Sequence, residues 1–401
     1  MEKGSNQNLR GSQVLRSEGS QNHGSSDPAT LRPLPERPFG RAGCGPIRKV
    51  LFAGGGTLGP VTPLLAVAET WKAADPSVAF VWVGTPHGPE QKLIESVQIP
   101  FISLPVLRLT RYPSREWLTL PIDAVRTFVY AWQILRRERP DLIATAGGYT
   151  GVPLAVLGWL HSIPVWAHQS DVRVILSTRL VVPFARLITT AWKQTVASLP
   201  AAKTVWIGSP VRERPLSNPT LLKAEGIELD PARQTVLMFG GGGGSRWLNE
   251  TAQDILEPLS ERVNIILLSG PKQNRLRVMS VPGKFTCVEK LVDAMPEAIR
   301  VADVVVCRAG MGTIADLAHF SKAAILIPLP NSPQLDNAQE LSQEQAAIVL
   351  DERTTHPEDL QKQILDLLLE EKRRAQLGAR LAQVMPTNIN TQLVQLIQER
   401  C

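Results

Sequence analysis

The sequence predicts an α/β protein built from two doubly wound, Rossmann-like domains that face each other across a cleft. Short runs of β-branched and other apolar residues alternate with helical segments, as in parallel βαβ units. Glycine-rich turns follow several predicted strands, and the second half of the chain repeats the strand-and-turn order of the first. Two such halves place their glycine turns on opposite sides of a cleft.

Length and charge support a globular protein with more than one domain. The chain has 401 residues, of which 43% are hydrophobic and 20% charged, and this length exceeds that of one ordinary core. The net charge is +6, but residues 1–49 carry eight Lys/Arg against four Asp/Glu, which leaves only +2 for residues 50–401. We therefore expect no nucleic-acid partner.

Cysteine spacing and hydropathy indicate in which cellular compartment the protein is expected. The four cysteines form no CxxC pair and no ligand pattern, which favours free thiols in a reducing cytosol and indicates no metal site. The longest apolar windows, 152–167 and 174–192, are interrupted by basic, histidine or proline residues and do not predict a spanning helix. No signal peptide is predicted, and residues 1–47 are expected to form a disordered tail.

The first domain is predicted over residues 48–209. It opens with a buried strand at 49–53, a glycine turn at 54–60 and a helix at about 63–72. A helix at 90–97 is predicted between strands at 80–84 and 101–102. Later strands are predicted to end near Gly147, His168 and Ile207.

Residues 104–139 combine aromatic side chains with seven arginines and three acids, a balance of +4. One interpretation is a contact with an anionic bilayer surface, made by the loop at 107–120 and the helix after it. The other is a crossover helix at about 121–137 whose Phe128, Trp132 and Leu135 pack on the sheet. The sequence leaves both open.

The second domain is predicted over residues 210–385. Its strands are expected near 235–239, 264–268, 285–288, 302–307 and 323–327, with a long helix at about 357–381. Residues 386–401 are expected to contain a last helix, from about Asn390 to Arg400, that returns towards the first domain. The strand at 302–307 leads through a glycine turn into a helix carrying Asp316, an arrangement suited to a nucleotide sugar because the turn offers N–H groups to phosphate and the carboxylate accepts from hydroxyls.

Seven segments, taken in order, resemble the motifs of the MurG family of GT-B glycosyltransferases, over about residues 48–385. The matches are GGTLGP at 55–60 with GGTGGH, GGYTGVP at 147–153 with GGYxSxP, HQSD at 168–171 with HEQN, GSPVR at 208–212 with GNPVR, GGGGGSRWLN at 240–249 with GGSxGAxxxN, RAGMGTIAD at 308–316 with RxGxxTxxE, and QLDNA at 334–338 with QxxNA.

The resemblance implies an inverting hexosyltransferase that moves N-acetylglucosamine from UDP-GlcNAc to the 4-hydroxyl of undecaprenyl-pyrophosphoryl-MurNAc-pentapeptide (lipid I), giving lipid II. It implies a peripheral enzyme on the cytoplasmic face of the cell membrane, acting in peptidoglycan synthesis and hence in cell shape and division. The implied partners are UDP-GlcNAc, lipid I and an anionic membrane surface, and no cofactor is implied.

Site residues carried over from the family fall into two groups. The implied donor-binding residues are Thr57, Leu58, Gly59, Asp171, Arg212, Gly242, Gly243, Gly244, Val292, Met311, Gly312, Thr313, Ile314, Ala315, Asp316 and Gln334. The implied acceptor-binding residues are Gly147, Gly148 and Tyr149. Asp316 replaces a family Glu at the ribose, and Gly242 replaces a Ser at the diphosphate.

The catalytic base is the main departure from the family. Pro60 stands where the family has a candidate basic histidine, and proline accepts no proton. His168 and Asp171, at the end of a predicted strand, are the nearest replacements. Two other functions stay open: a degenerate homologue that binds nucleotide or lipid without turnover, and a related glycosyltransferase with another acceptor.

Overall fold

A computed structural model describes residues 46–105, 120–213, 217–271 and 285–401. The predicted tail, apart from its last two residues, and the basic loop at 107–119 lie outside these ranges. The strands of the first half are β1 (Lys49–Ala53), β2 (Ala79–Gly84), β3 (Phe101–Ser103), β4 (Leu142–Thr145), β5 (Val165–Gln169), β6 (Leu187–Thr190) and β7 (Thr204–Trp206). They form one parallel sheet in the order β3-β2-β1-β4-β5-β6-β7.

Helices cover both faces of this sheet, which is why β1 is apolar at successive positions. The helices are α1 (Val61–Ala74), α2 (Glu90–Ser96), α3 (Leu120–Glu138), α4 (Gly151–Leu160) and α5 (Leu176–Val181). Val50 and Phe52 pack with α1 and α2, whereas Leu51 and Ala53 pack with α3, α4 and α5.

The second half repeats this design. Its strands are β8 (Thr235–Phe239), β9 (Asn264–Leu268), β10 (Phe285–Val288), β11 (Val304–Cys307), β12 (Ala324–Leu326) and β13 (Ile348–Val349). Its helices are α6 (Thr220–Ala224), α7 (Arg246–Ser260), α8 (Met295–Val301), α9 (Met311–His319), α10 (Pro333–Gln343), α11 (Pro357–Leu369), α12 (Glu371–Val384) and α13 (Asn390–Arg400). The parallel order β10-β9-β8-β11-β12-β13 matches the first six strands of the other sheet, so the predicted fold class is confirmed.

Three elements differ from the prediction. The single helix expected at 357–381 is two helices, because the backbone at Glu370 leaves the helical region (ψ 73°) and the Arg374 side chain caps the carbonyl of Leu367. β6 and β13 were not predicted. β6 lies within the apolar window 174–192, where no glycine turn marks the end of a strand, and β13 has only two residues.

The two halves are joined at two adjacent chain crossings. The Ser209 N–H donates to the Pro386 carbonyl at 2.9 Å, and Gly208 (φ +100°) leaves no room there for a Cβ. Beyond this contact α13 packs into the apolar face of the first sheet beside α1, and Asn390 Nδ2 donates to the Val211 carbonyl at 2.7 Å. Within the described ranges, no helix combines the length and apolarity needed to cross a membrane.

Candidate functional site

The first glycine turn rests on a buried carboxylate. Glu90 Oε1 accepts from the N–H groups of Gly56 and Thr85 at 3.1 and 2.7 Å, and from Thr85 Oγ1 at 2.6 Å. A side chain at Gly55 or Gly88 would overlap this carboxylate. The buried Glu90 carboxylate therefore holds the turn in one conformation. The turn leads to Pro60, the N-cap of α1, which provides no side-chain cap. The Val61 and Thr62 N–H groups donate to the Leu58 carbonyl at 3.0 and 3.1 Å, so the α1 N-terminus attracts an anion through the positive end of its helix dipole.

The second glycine turn lies against the first. Gly147 and Gly148 have φ of +102° and +84°, and a Cβ on Gly148 would come within 3.2 Å of the Gly55 carbonyl oxygen. Tyr149 is exposed beside them, and α4 starts directly after Thr150 without a side-chain cap. The structure thus brings the predicted acceptor residues next to the first glycine turn.

On the opposite domain, the glycine run 240–244 leads into α7. Ser245 caps this helix by accepting from the Leu248 N–H at 3.3 Å, and its hydroxyl also accepts from Arg308 Nη2 at 2.7 Å. Arg308 is buried and pairs with Glu352, with Nη1 and Oε2 2.6 Å apart. The loop is therefore held at its C-terminal end by a buried ion pair.

A pocket of about 420 Å³ opens beside this loop. Gly240, Gly244, Arg308 and Glu352 contribute to its wall, together with Gln334 from α10. Gln334 Oε1 accepts from the Leu329 N–H at 3.0 Å, which orients its amide. The predicted sugar-binding residue and the predicted phosphate loop therefore share one pocket.

The start of α9 faces the start of α1 across the cleft between the domains. Gly59 and Thr62 on one side, and Gly312 and Asp316 on the other, line a narrow cavity of about 40 Å³. Neither α1 nor α9 has a side-chain cap. Two helix N-termini thus converge on one small volume, which favours a negatively charged ligand.

Arg212 also lines this cavity and binds Glu69 of α1. Its Nε lies 2.9 Å from both carboxylate oxygens. Both side chains are partly exposed. Arg212, which is predicted to bind the diphosphate, therefore lies at the cleft and is paired with a protein carboxylate in this structure.

His168 lies inside the first sheet. Its ring is fully buried, and Nδ1 is 3.0 Å from Thr189 Oγ1 on the neighbouring strand. Burial lowers the pKa of His168 to about 3, so the imidazole is neutral at physiological pH. Since Nε2 is buried too, without a hydrogen-bond partner in the described part of the chain, the geometry gives no support to His168 as the base.

Asp171 lies just beyond β5, where the domains meet. Its Oδ1 accepts from Asn337 Nδ2 of α10 at 2.9 Å. Burial raises the pKa of Asp171, the Asn337 hydrogen bond opposes this, and nearby Asp336 adds to the increase. Of the two predicted bases, Asp171 is therefore the one whose pKa is raised and whose side chain contacts the opposite domain.

The remaining predicted donor residues are spread over several surfaces. Thr57 and Leu58 are exposed on the first glycine turn, and Val292 is exposed on the loop before α8. Met311 is buried against Trp192, whose Nε1 lies 3.3 Å from its sulfur. Ile314 points into the core of the second domain, so any ligand contact from it would come from its backbone.

Several site residues were missed by the sequence reasoning. Glu69 and Glu90 are ordinary helical glutamates in sequence, and only the fold shows that they hold Arg212 and the first glycine turn. Ser170 lines the small cavity, and its buried Oγ has no hydrogen-bond partner among the described residues. Asn337 lay inside a quoted motif, but nothing in the sequence paired it with Asp171.

The crossover helix α3 has one face on the sheet and one in solvent. Leu135 is buried as the packing interpretation expected, whereas Phe128 and Trp132 are exposed, which corrects that interpretation. With Val125 and Val129 they form an apolar groove of about 470 Å³, and the Arg136 guanidinium lies 4.7 Å from the Trp132 ring centre.

Two facing Rossmann-like sheets, with glycine turns and helix N-termini directed into the cleft, are the architecture of the GT-B fold. The glycosyltransferase family 28 N-terminal domain matches residues 50–190, and the glycosyltransferase family 28 C-terminal domain matches residues 235–393. The chain belongs to the MurG family of this group.

Named relatives support that assignment. The chain is 30% identical over 363 residues to the UDP-N-acetylglucosamine--N-acetylmuramyl-(pentapeptide) pyrophosphoryl-undecaprenol N-acetylglucosamine transferase of Streptomyces coelicolor, covering 87% of this chain and 97% of the relative. It is 28% identical over 325 residues to transferase 2 of the same description from Bacillus anthracis, covering 80% and 92%. The crystal structure of Acinetobacter baumannii MurG shares the fold, with a TM-score of 0.66, 23% identity, and coverage of 88% of this chain and 99% of that one.

Proposed function

We propose that this chain transfers N-acetylglucosamine from UDP-GlcNAc to the 4-hydroxyl of lipid I, with inversion at C1, to make lipid II for peptidoglycan. The observation that carries the proposal is the convergence of the α1 and α9 N-termini on one cleft beside Arg212. Helix N-termini and a guanidinium together stabilise a diphosphate without a metal ion. No group of three metal-ligating side chains occurs in the described ranges.

The donor lies mainly on the second domain in this proposal. Asp316 accepts from the ribose hydroxyls, and the N–H groups of Gly312 and Thr313 bind the diphosphate, with Val292 and Met311 beside the uracil. The loop at 242–244 closes on the phosphates. Gln334 binds hydroxyls of the sugar in the pocket that it shares with that loop.

The acceptor approaches from the first domain. The turn at Gly147, Gly148 and Tyr149 lies against the first glycine turn, where α1 and α4 begin without side-chain caps. The positive dipole ends of these two helices suit the pyrophosphate of a lipid-linked acceptor. Such a position directs the acceptor sugar towards the donor across the cleft.

Transfer proceeds as a single displacement. The acceptor 4-oxygen attacks C1 of the donor sugar and loses its proton to Asp171. The C1–oxygen bond to the β-phosphate breaks at the same time, and its electron pair leaves with UDP. The two helix N-termini and Arg212 stabilise the charge that develops on the leaving diphosphate.

The exposed face of α3 supports a peripheral position on the cytoplasmic face of the membrane. Val125, Phe128, Val129 and Trp132 present an apolar groove, and Arg126 is exposed on the same helix. Apolar and basic side chains together favour the surface of an anionic bilayer. Trp159 and Leu160 on the neighbouring α4 are exposed too and add further apolar surface.

The test is UDP release from UDP-GlcNAc, measured with and without lipid I, followed by mass analysis of the lipid product. We expect release that depends on lipid I and a product heavier by one N-acetylglucosamine. Protein that binds UDP-GlcNAc but shows no acceptor-dependent release contradicts the proposal.

A second candidate is binding of nucleotide or lipid without turnover. The observation favouring it is Pro60, because the N-cap of α1 carries no proton acceptor. Calorimetric binding of UDP-GlcNAc combined with no transfer to lipid I, or to a panel of glycolipid and aglycone acceptors, would establish it. Transfer to a panel member but not to lipid I would indicate a related enzyme with another acceptor.

A further inference from the structure

Asn337 joins the two domains through three hydrogen bonds. Its Nδ2 donates to Asp171 Oδ1 at 2.9 Å and to the Ala309 carbonyl at 3.3 Å, and its Oδ1 accepts from the Val172 N–H at 3.0 Å. Asp171 and Val172 follow β5 of the first domain, whereas Asn337 and Ala309 belong to the second. The side chain is fully buried.

These partners allow only one orientation of the Asn337 amide. A flipped amide would place its oxygen against the Ala309 carbonyl and the Asp171 carboxylate, and its NH2 group against the Val172 N–H. Both contacts would be repulsive in a buried site. Asn337 therefore always offers a hydrogen to Asp171.

The consequence is a carboxylate with two unlike oxygens. Oδ1 of Asp171 is bound to Asn337, while Oδ2 has no hydrogen-bond partner within the part of the chain that the structure describes. Asp336, on the same helix as Asn337, is the charged group that acts on Asp171. One oxygen is fixed, and the other is available to accept a proton.

We propose that Asn337 is a positioning residue that presents Asp171 Oδ2 to the acceptor hydroxyl. The base is then in place only when the two domains are in contact, because its positioning group comes from the opposite domain. This inference rests on the proposed glycosyl transfer and names a residue that acts through Asp171.

Three variants test it: Asn337→Asp, Asp171→Asn, and the two combined. Asn337→Asp keeps an acceptor for the Val172 N–H but sets a second carboxyl beside Asp171, so the acidic limb of the kcat–pH profile should move to higher pH while KM for UDP-GlcNAc stays unchanged. Asp171→Asn should lower kcat by roughly 10²–10⁴-fold. An unmoved acidic limb, or wild-type kcat in Asp171→Asn, overturns the inference.

The combined variant separates positioning from a purely structural role. It exchanges the two side chains and keeps an amide-to-carboxylate hydrogen bond between the domains, so we expect its melting temperature to exceed that of Asn337→Asp. Its kcat should nevertheless stay as low as that of Asp171→Asn, since the base has moved to the wrong domain. Wild-type turnover in this variant would overturn the inference.

Failure of the proposed function is recognised separately. If the wild-type chain binds UDP-GlcNAc but transfers nothing to lipid I, the glycosyl-transfer proposal fails. A carbon-13 titration of the aspartate carboxyls, with Asp171→Asn to assign the Asp171 signal, still measures the contact without turnover. A higher Asp171 pKa in Asn337→Asp than in the wild type supports the positioning contact, and equal pKa values refute it.

Discussion

The guanidinium of Arg212 and the carboxylate of Glu69 bind each other at the edge of the cleft, with Nε 2.9 Å from each carboxylate oxygen. Arg212 belongs to the segment that links the two sheets, and Glu69 to α1. A donor diphosphate that binds Arg212 must therefore compete with Glu69 for the guanidinium.

Glu69→Gln should tighten the binding of UDP, because it removes the competing negative charge while keeping the shape of the side chain. The gain is expected to reach at most about fivefold, since a partly exposed ion pair contributes roughly 0.2–1 kcal/mol. Calorimetry with UDP measures it, and Glu257→Gln, on the exposed face of α7, is the matched control. Weaker binding in Glu69→Gln would mean that Glu69 positions Arg212 rather than competing for it.

Asp316→Ala should weaken UDP binding by roughly 1–3 kcal/mol, the effect of losing a charged acceptor of hydrogen bonds. Asp254→Ala removes an exposed carboxylate from α7 in the same domain and should have no effect. Equal UDP affinities for Asp316→Ala and the wild type would rule out the ribose assignment.

Gly242→Ser should strengthen donor binding by roughly 0.5–1.5 kcal/mol through one added hydrogen bond to phosphate. A Cβ on Gly242 meets no atom within 4 Å, so the side chain fits. Gly241→Ser is the control, because Gly241 has φ +78° and a side chain there strains the loop. If both variants bind UDP equally, the loop does not contact the phosphates as proposed.

Replacing Val125 and Val129 with Glu should reduce binding to vesicles that contain anionic lipid. Both side chains are exposed, at 64% and 46%, so the substitution tests the surface and not the core. Leu369→Glu, at an 85% exposed position in the second domain, is the control. Unchanged vesicle flotation of the double variant would exclude the α3 groove as the membrane contact.

His168 should make the protein less stable in acid. Its pKa is about 3 when folded and near 6.5 when unfolded, so between these values the unfolded chain binds a proton that the folded chain does not. The free energy of unfolding therefore falls by about 1.4 kcal/mol per unit as pH drops below 6.5, and His168→Gln should remove this component. Urea titrations at pH 7.5 and 5.5 measure the difference, with exposed His161→Gln as control. Equal acid sensitivity of His168→Gln and the wild type would refute it.

The fold was accessible from the sequence because its strands are buried on both faces. Runs such as Val304–Cys307, followed by glycine turns, are strong local signals. The break at Glu370 was not accessible, since it depends on which neighbours the two helices meet: α11 packs on α7, and α12 packs on α9. The position of this helix break was therefore set by tertiary packing and not by the helical pattern of the sequence.

The parts of the site that are formed by backbone turns could be predicted from the sequence. Contacts between side chains that are far apart in the sequence could not. Glycine turns fix the positions of Gly148 and Gly312 from local sequence alone. The pairing of Asp171 with Asn337 joins residues 166 positions apart, and no periodicity in one sequence reports such a contact. The same holds for Glu90, whose role depends on a turn 34 positions earlier.

The hydrogen bond from Ser209 to Pro386 has a mechanical consequence. Both chain segments that connect the domains pass through this hydrogen bond. An opening movement that keeps the bond intact is therefore a rotation about an axis close to Ser209 and Pro386. Displacement then grows with distance from the axis, and the far rim of the cleft moves most for a given angle. A reporter pair of fluorophores would therefore register opening best at that rim, and a crosslink beside Gly208 would leave the opening largely unrestricted.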